Sequence, residues 1–318
     1  MCIRDSARIR TEYTSGTTGT PKKVAYTTYD CDRTAEFFAC GLSEFIGSGD
    51  NTLICMPTSD GLSLGGLIAR AVKSLGAEPI AFGVGRTFSQ LMETVREKRP
   101  NTYVGMPVTL LALFRIMGPE CTIERALTSG DTASEFLQRE CEKHLKAPLF
   151  PHYGLRESGL GMAYTCAAHE GMHIRENDII TEIVSPAGTS LPDGEWGEIV
   201  ITTIGLEAMP LIRYKTGDIG RFLPSPCPCG SITRRLEVRG RITYGPAVWD
   251  YDRDIFSMPG TIDFKLSEND VIILVSESKF ISGVRLAAGE MFPDKNVTVR
   301  ALQPEDCPLY TGKRAIYK

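Results

Sequence analysis

The sequence predicts an α/β protein: a large layered sheet-and-helix domain with a β subdomain, followed by a small α+β C-terminal domain. Three observations carry this. Strand-like and helix-like segments alternate through the first half of the chain. From about Ile174, short apolar strands follow one another between Gly, Pro and Asp turns. After Gly240-Arg241 a strand–strand–helix–strand run closes the chain. We place the boundary near residue 242, giving domains of 1–242 and 243–318. The 318 residues are 42% hydrophobic and 23% charged, which excludes collagen-like and disordered chains.

The elements follow in order. Thr52–Met56 and Pro79–Phe82 read as short buried strands. Thr87 with Gln90 forms a capping box ahead of Phe88, Leu91, Met92 and Val95 at helical spacing. Thr102–Val104 is a strand, Val108–Met117 an apolar helix, and Ala126–Thr128 another strand. A second capping box, Thr132-x-x-Glu135, opens a helix burying Phe136, Leu137, Cys141 and Leu145, and Pro148–Phe150 is the next strand. Ile179–Val184, Gly197–Thr203 and Pro210–Tyr214 form the antiparallel or mixed β subdomain. The last unit has strands at Ile262–Leu266, Val271–Ser276 and Val297–Ala301 and a helix at Phe280–Ala288.

Charge and cysteine usage narrow the function classes. Lys and Arg number 35 against 39 Asp and Glu, a net charge of −4 with no long basic run, so no nucleic-acid partner is expected. The apolar run Val271–Val275 is a strand's length, and no membrane partner is expected. Met1–Ser6 lacks the apolar core of a signal peptide, and ten cysteines are too sparse for a disulfide scaffold. Reduced thiols in the cytoplasm are the expectation.

Four segments carry chemistry. Tyr13-Thr14-Ser15-Gly16-Thr17-Thr18-Gly19-Thr20-Pro21-Lys22-Lys23 combines glycines, hydroxyls and lysines that suit phosphate oxygens. It is not a Walker loop, because Pro21-Lys22 stands where Gly-Lys-Ser/Thr is needed; by composition alone it also reads as a polar connector. His152-Tyr153-Gly154-Leu155-Arg156-Glu157 follows an expected strand, offering a flat ring for a base and a carboxylate for magnesium. Pro210–Asp218 ends in a carboxylate after a glycine, suited to a ribose diol, and Val238-Arg239-Gly240-Arg241 closes the large domain.

Together, and in this order, these segments resemble the adenylate-forming (AMP-binding) enzyme superfamily, most closely its phenylacetate–CoA ligase-like branch, from residue 13 to Lys313. The resemblance implies an adenylate-forming fold and an ATP-dependent carboxylate–CoA ligase that forms an acyl-adenylate and then an acyl-CoA thioester, with an aryl or arylacetic acid as the leading substrate. It implies ATP with Mg2+ and coenzyme A as co-substrates. Thr14, Ser15, Gly16, Thr17, Thr18, Gly19, Thr20 and Lys22 would bind the β- and γ-phosphates. Gly130 and Asp131 would lie along the adenine pocket with Gly154, and Tyr153 would stack on the base. Glu157 would be the magnesium-associated acid, Asp218 the ribose clamp and Arg241 a second ribose or phosphate contact. Lys313, in Tyr310-Thr311-Gly312-Lys313-Arg314, would reach the α-phosphate during adenylation. Related synthetases use a deazaflavin or a carrier-protein thiol as acceptor, and a non-catalytic nucleotide-binding remnant is the reading from another class.

Cysteine spacing suggests a separate structural zinc. Cys227-Pro228-Cys229, Cys166 and one of His169 or His173 supply a tetrahedral set, and the branch's Cys…Gly-x-His…Cys-Pro-Cys-Gly pattern favours His173. His152 is read as lining the acyl pocket, with capping of a strand as the alternative. The chain departs from the family in two places. Family members carry a further subdomain before the phosphate loop, so the expectation is an N-terminally truncated chain whose exposed apolar edge favours a homodimer. The family's Asp or Lys hinge is here Thr243.

Overall fold

The computed structural model describes residues 8–13, 22–131, 133–242 and 251–308. The chain runs through β1 (Arg8–Tyr13), β2 (Lys23–Thr27), α1 (Thr28–Leu42), β3 (Asn51–Ile54), α2 (Leu64–Ser74) and β4 (Glu78–Ala81). Then come α3 (Phe88–Lys98), β5 (Thr102–Gly105), α4 (Pro107–Met117), β6 (Arg125–Thr128), α5 (Glu135–Glu142) and β7 (Phe150–Tyr153). Six strands follow: β8 (Ala163–Thr165), β9 (Met172–Ile174), β10 (Ile179–Val184), β11 (Gly197–Thr203), β12 (Tyr214–Phe222) and β13 (Arg235–Arg241). The last described segment holds α6 (Asp252–Phe256), β14 (Thr261–Leu266), β15 (Asp270–Val275), α7 (Ile281–Met291) and β16 (Asn296–Ala301).

These elements group into two compact units. The first is built from the described parts of 1–49, 59–79 and 150–242. In it β1 and β2 pair antiparallel, with Tyr13 opposite Lys23, so the two strands bracket the segment expected to bind phosphate. Strands β7 to β13 lie in the order β10-β11-β12-β13-β9-β8-β7, every neighbour antiparallel. Ile179, Ile183, Ile199, Ile201, Phe222 and Leu236 fill its core. That is the antiparallel β subdomain read from residue 174 onward, extended back to β7.

The second unit comprises 50–58, 80–149 and the described part of 243–318. Here β3, β5 and β6 are parallel, as alternating strands and helices require. Strands β14 and β15 are antiparallel, β15 and β16 parallel. Leu110, Leu113 and Phe114 of α4 share one core with Phe256, Phe264 and Ile273. Arg115 donates to the carbonyls of Thr261 (2.5 Å) and Phe256 (2.9 Å), so the C-terminal strands cluster with residues 80–149. The last segment of the first unit ends at Ile242, and residues 50–58 and 80–149 group with the segment after it rather than with the first unit.

The Thr87–Gln90 capping box forms in both directions at the start of α3. Other expectations are corrected. Helix α5 is capped by Ser134, whose hydroxyl accepts from Leu137 N–H, rather than by Thr132, which lies outside the described residues. The strand expected over Pro148–Phe150 is shifted, so His152 and Tyr153 belong to β7 itself and the functional loop begins at Gly154. No strand covers Pro210–Arg213: Pro210 has no N–H to give a ladder and Arg213 adopts φ +46°, so pairing starts at Tyr214.

Helices α1 and α2 were not anticipated. Helix α1 begins with Thr27 and Asp30 capping each other. Buried Asp30 also accepts from the backbone N–H of Glu207 (2.7 Å) and Ala208 (3.1 Å), tying the helix start to the chain that leads into β12. Asp30→Ala strands three N–H groups at roughly 1–3 kcal/mol each. Urea unfolding is expected to show a loss of about 3–5 kcal/mol for Asp30→Ala and about half that for Asp30→Asn, which keeps one acceptor oxygen.

Candidate functional site

Strand β12 presents Tyr214, Thr216 and Asp218 on one face because side chains alternate along a strand. Thr216 donates to Ile199 O at 2.8 Å and its hydroxyl oxygen accepts from Asp218 N–H at 3.1 Å, which fixes the residue before the carboxylate. Gly217 between them has φ +74°, and a Cβ there would stand 3.4 Å from Arg241 Nη1. Register sets Asp218 opposite Arg241 of β13. Arg241 Nε lies 3.1 Å from Asp218 Oδ1, and Arg241 Nη1 donates to Thr216 O at 3.2 Å.

Tyr153, the last residue of β7, donates its hydroxyl to Asp218 Oδ2 at 2.7 Å. Burial first, and then the Asp218 charge, push this phenol well above its ordinary range, so it remains a donor. Three residues assigned separately from the sequence, Tyr153, Asp218 and Arg241, thus meet in one buried cluster.

The loop between β7 and β8 folds on itself. Leu155 N–H reaches Ser158 Oγ at 3.0 Å, and Leu160 N–H reaches Leu155 O at 2.8 Å. Gly154 is required here, since a Cβ would meet Leu160 O at 2.3 Å. The loop holds Glu157 so that its Oε1 accepts from the Tyr214 hydroxyl at 2.7 Å, and that hydroxyl accepts from Lys22 Nζ at 3.0 Å. Sequence reasoning quoted Tyr214 within its motif but gave it no role. Its position at i−4 from Asp218, on the same strand face, was the signal. A carboxylate is a hard oxygen donor, the chemistry that magnesium takes, so Glu157 fits a magnesium-associated acid.

Gly130 and Asp131 belong to the other unit. Gly130 follows β6 with φ +88°, and a Cβ there would lie 3.5 Å from Met106 Cγ. Thr14, Ser15, Gly16, Thr17, Thr18, Gly19 and Thr20, the hinge position Thr243 and Lys313 lie outside the described residues.

The cysteine cluster is assembled. Cys166, His173, Cys227 and Cys229 bring their ligand atoms within 4.8 Å of one another. Cys166 Sγ is 3.6 Å from Cys227 Sγ, and Cys229 Sγ is 3.3 Å from His173 Nε2. A tetrahedral zinc with bonds of about 2.3 Å to sulfur and about 2.0 Å to nitrogen would need edges of about 3.8 and 3.5 Å. His173 Nδ1 lies 2.9 Å from Thr233 Oγ1, which turns Nε2 toward the sulfurs. Ser231 N–H points at Cys229 Sγ at 3.4 Å. Burial would raise the Cys227 thiol, but Cys229 N–H, the neighbouring thiols and Arg235 outweigh it and lower it. His169 is not in the cluster; its ring packs 4.5 Å from that of Phe150.

His152 is buried against Phe38, ring centroids 4.9 Å apart, and Phe37, at 5.8 Å. Burial drives its imidazole down to about 3.

Comparison with known proteins identifies the family to which this fold belongs. The family model described as "AMP-binding enzyme" matches residues 11–208. The chain belongs to the AMP-binding enzyme family. It is 34% identical over 227 residues to the phenylacetate-coenzyme A ligase of Escherichia coli, covering 68% of this chain and 52% of that protein. It is 32% identical over 237 residues to the enzyme of that name from Thermus thermophilus, covering 71% and 53%. The chain thus spans about half the length of the curated relatives it matches. Among solved structures it is similar to 2-hydroxyisobutyryl-CoA ligase in the postadenylation state, with TM-score 0.75, 19% identity, and coverage of 100% of this chain and 75% of that one. It is also similar to a benzoate CoA ligase from Burkholderia xenovorans, with TM-score 0.63, 17% identity, and coverage of 99% and 68%. These two likenesses establish the fold.

The depressed His152 sets a pH dependence. The unfolded chain takes up a proton near 6.5 that the folded state refuses until about 3, so this contribution is present above pH 6.5 and lost as pH falls. Stability is expected to drop by about 2 kcal/mol between pH 6.5 and 5. Chemical denaturation across that range should show a flatter profile for His152→Leu.

Proposed function

We propose that this chain carries the adenylation chemistry of an ATP-dependent carboxylate–CoA ligase acting on an aryl or arylacetic acid such as phenylacetate. The observation that carries this reading is the buried Asp218 carboxylate held by Tyr153 and Arg241 on the strand that also bears Tyr214. A carboxylate placed beside a guanidinium is suited to accept hydrogen bonds from a ribose diol, with the Tyr153 ring toward the base. The activity for which the relatives are named, phenylacetate–coenzyme A ligation, supports the acid and the acceptor.

In the reaction, a substrate carboxylate oxygen attacks the α-phosphorus of ATP, the bond to the bridging oxygen breaks, and pyrophosphate leaves. The thiolate of coenzyme A then attacks the acyl carbon and AMP departs. No protein nucleophile is needed, so the chain contributes alignment and positive charge. Lys22 and residues 14–20 hold the terminal phosphates, Asp218 and Arg241 orient the ribose, and Lys313 meets the charge developing at the α-phosphate. Glu157 would hold magnesium beside the phosphates, and the ion would supply charge neutralisation there. We keep 243–318 as the small domain that brings Lys313 to the site.

Acid-dependent ATP–pyrophosphate exchange tests this reading. Phenylacetate or benzoate is expected to support exchange, and Lys313→Ala to lower it by about 10²–10³. Exchange insensitive to added acid would sink the proposal.

We propose in addition a structural zinc on Cys166, His173, Cys227 and Cys229 that ties the β8–β9 connection to the β12–β13 connection. Elemental analysis is expected to give one zinc per chain, Cys227→Ser to abolish it, and chelation to lower the melting temperature by several degrees. Full thermal stability in metal-free protein would refute it.

A further inference from the structure

One phenol oxygen sits between two charges brought from distant parts of the chain. The Tyr214 hydroxyl accepts from Lys22 Nζ at 3.0 Å and donates to Glu157 Oε1 at 2.7 Å, and the Lys22 ammonium lies 4.7 Å from the centroid of the same ring. The place of the phenol is set by the sheet: Tyr214 is the first residue of β12, and its ring packs against the core of the seven antiparallel strands. Its two partners come from connections, Lys22 just before β2 and Glu157 between β7 and β8. The charges around them are held elsewhere. Arg156 donates to Glu12 at 2.9 Å, Arg10 pairs with the same carboxylate at 2.8 Å, and Arg10 also reaches Asp60 at 2.8 Å.

We propose that Tyr214 is a positioning residue that holds Lys22 and Glu157 as a spaced pair, leaving the carboxylate for a phosphate-bound divalent cation and the ammonium for the phosphate itself. The physical reason is competition. An ammonium and a carboxylate within reach of each other form a direct ion pair, and each charge in it is then spent on the other. A hydroxyl between them accepts from one and donates to the other, so the two charges are held apart instead of on each other. The inference rests on the adenylation reading above and adds to it a residue that touches neither the reacting carboxylate nor the α-phosphorus.

The test is calorimetric binding of ATP to the full chain, with Mg2+ in excess and again in EDTA, read as the ratio of the two dissociation constants. The parent is expected to bind ATP more tightly with Mg2+. Tyr214→Phe, which keeps the ring and its packing, is expected to reduce that ratio about tenfold with little change in melting temperature. Adding Lys22→Met to Tyr214→Phe should restore part of the ratio, because no ammonium remains to neutralise Glu157. Lys22→Met alone alters one exposed side chain and should weaken ATP binding equally in both conditions. A parental ratio in Tyr214→Phe, or a changed ratio in Lys22→Met alone, overturns the role of Tyr214 and leaves the adenylation reading standing. A parent chain that binds no ATP overturns both.

Discussion

The register of β12 between β11 and β13 is the constraint on which the site depends. Val200 faces Lys215 on one side and Arg241 faces Asp218 on the other, with irregularities between Glu198 and Val200 and between Ile219 and Gly220. A strand has a side-chain period of two, so a slip of one residue would turn Tyr214, Thr216 and Asp218 to the opposite face together. The buried positions Thr216, Asp218, Gly220 and Phe222 resist such a slip, because the slip would place Lys215 and Arg221 in the core. Core packing and the placing of polar groups are therefore one requirement.

That requirement explains how a buried carboxylate is tolerated. An isolated ionised carboxylate in an apolar interior is costly, and the cost is met only by charge-assisted hydrogen bonds and an opposite charge. Asp218 has both, from Tyr153 and Arg241, which arrive on β7 and β13, two strands separated by β8 and β9 in the sheet order. Helix α1 adds a second anchor: Asp30 grips the backbone at Glu207 and Ala208, a few residues before β12 begins, so the approach to Tyr214 is fixed from outside the sheet.

Much of this was legible in the sequence, for reasons that differ by element. Strands β10 and β11 were read to the residue, since a run of β-branched side chains bounded by Gly and Pro leaves few alternatives. The Thr87 cap was equally plain, because its Gln90 partner is local. Helix α1 escaped because Asp30 serves as the capping acid in place of the expected Glu or Gln, and because its buried face carries the polar residues Asp30 and Thr34. The strand over Pro210–Tyr214 was misplaced because hydrophobic pattern carries no record of a left-handed residue at Arg213. Site residues with a motif were found from order and spacing. Tyr214 and Thr233 were given no role, since what they do is set by contacts across 57 and 60 residues of sequence.

The cysteine cluster and the Asp218–Arg241 pair share strands, and this links them physically. His173 sits on β9 opposite Arg235, the first residue of β13, while Arg241 is the last residue of the same strand. Cys227 and Cys229 lie in the connection from β12 to β13, so whatever fixes that connection fixes the end from which β13 runs toward Asp218. The turn itself has little apolar content to hold it: Pro228, Cys229, Gly230, Ser231 and Ile232 are all exposed. A long connection of small and polar residues cannot bury enough surface to order itself, and the proposed zinc on four side chains would supply the missing cross-link. The same logic governs the Arg235 side chain, which is buried and donates to the carbonyls of Glu170, at 2.7 Å, and Ser225, at 2.5 Å. One guanidinium and one thiol–imidazole set thus hold the two connections at one end of the strands, and the register they impose is read out at the other end as the pairing of Arg241 with Asp218.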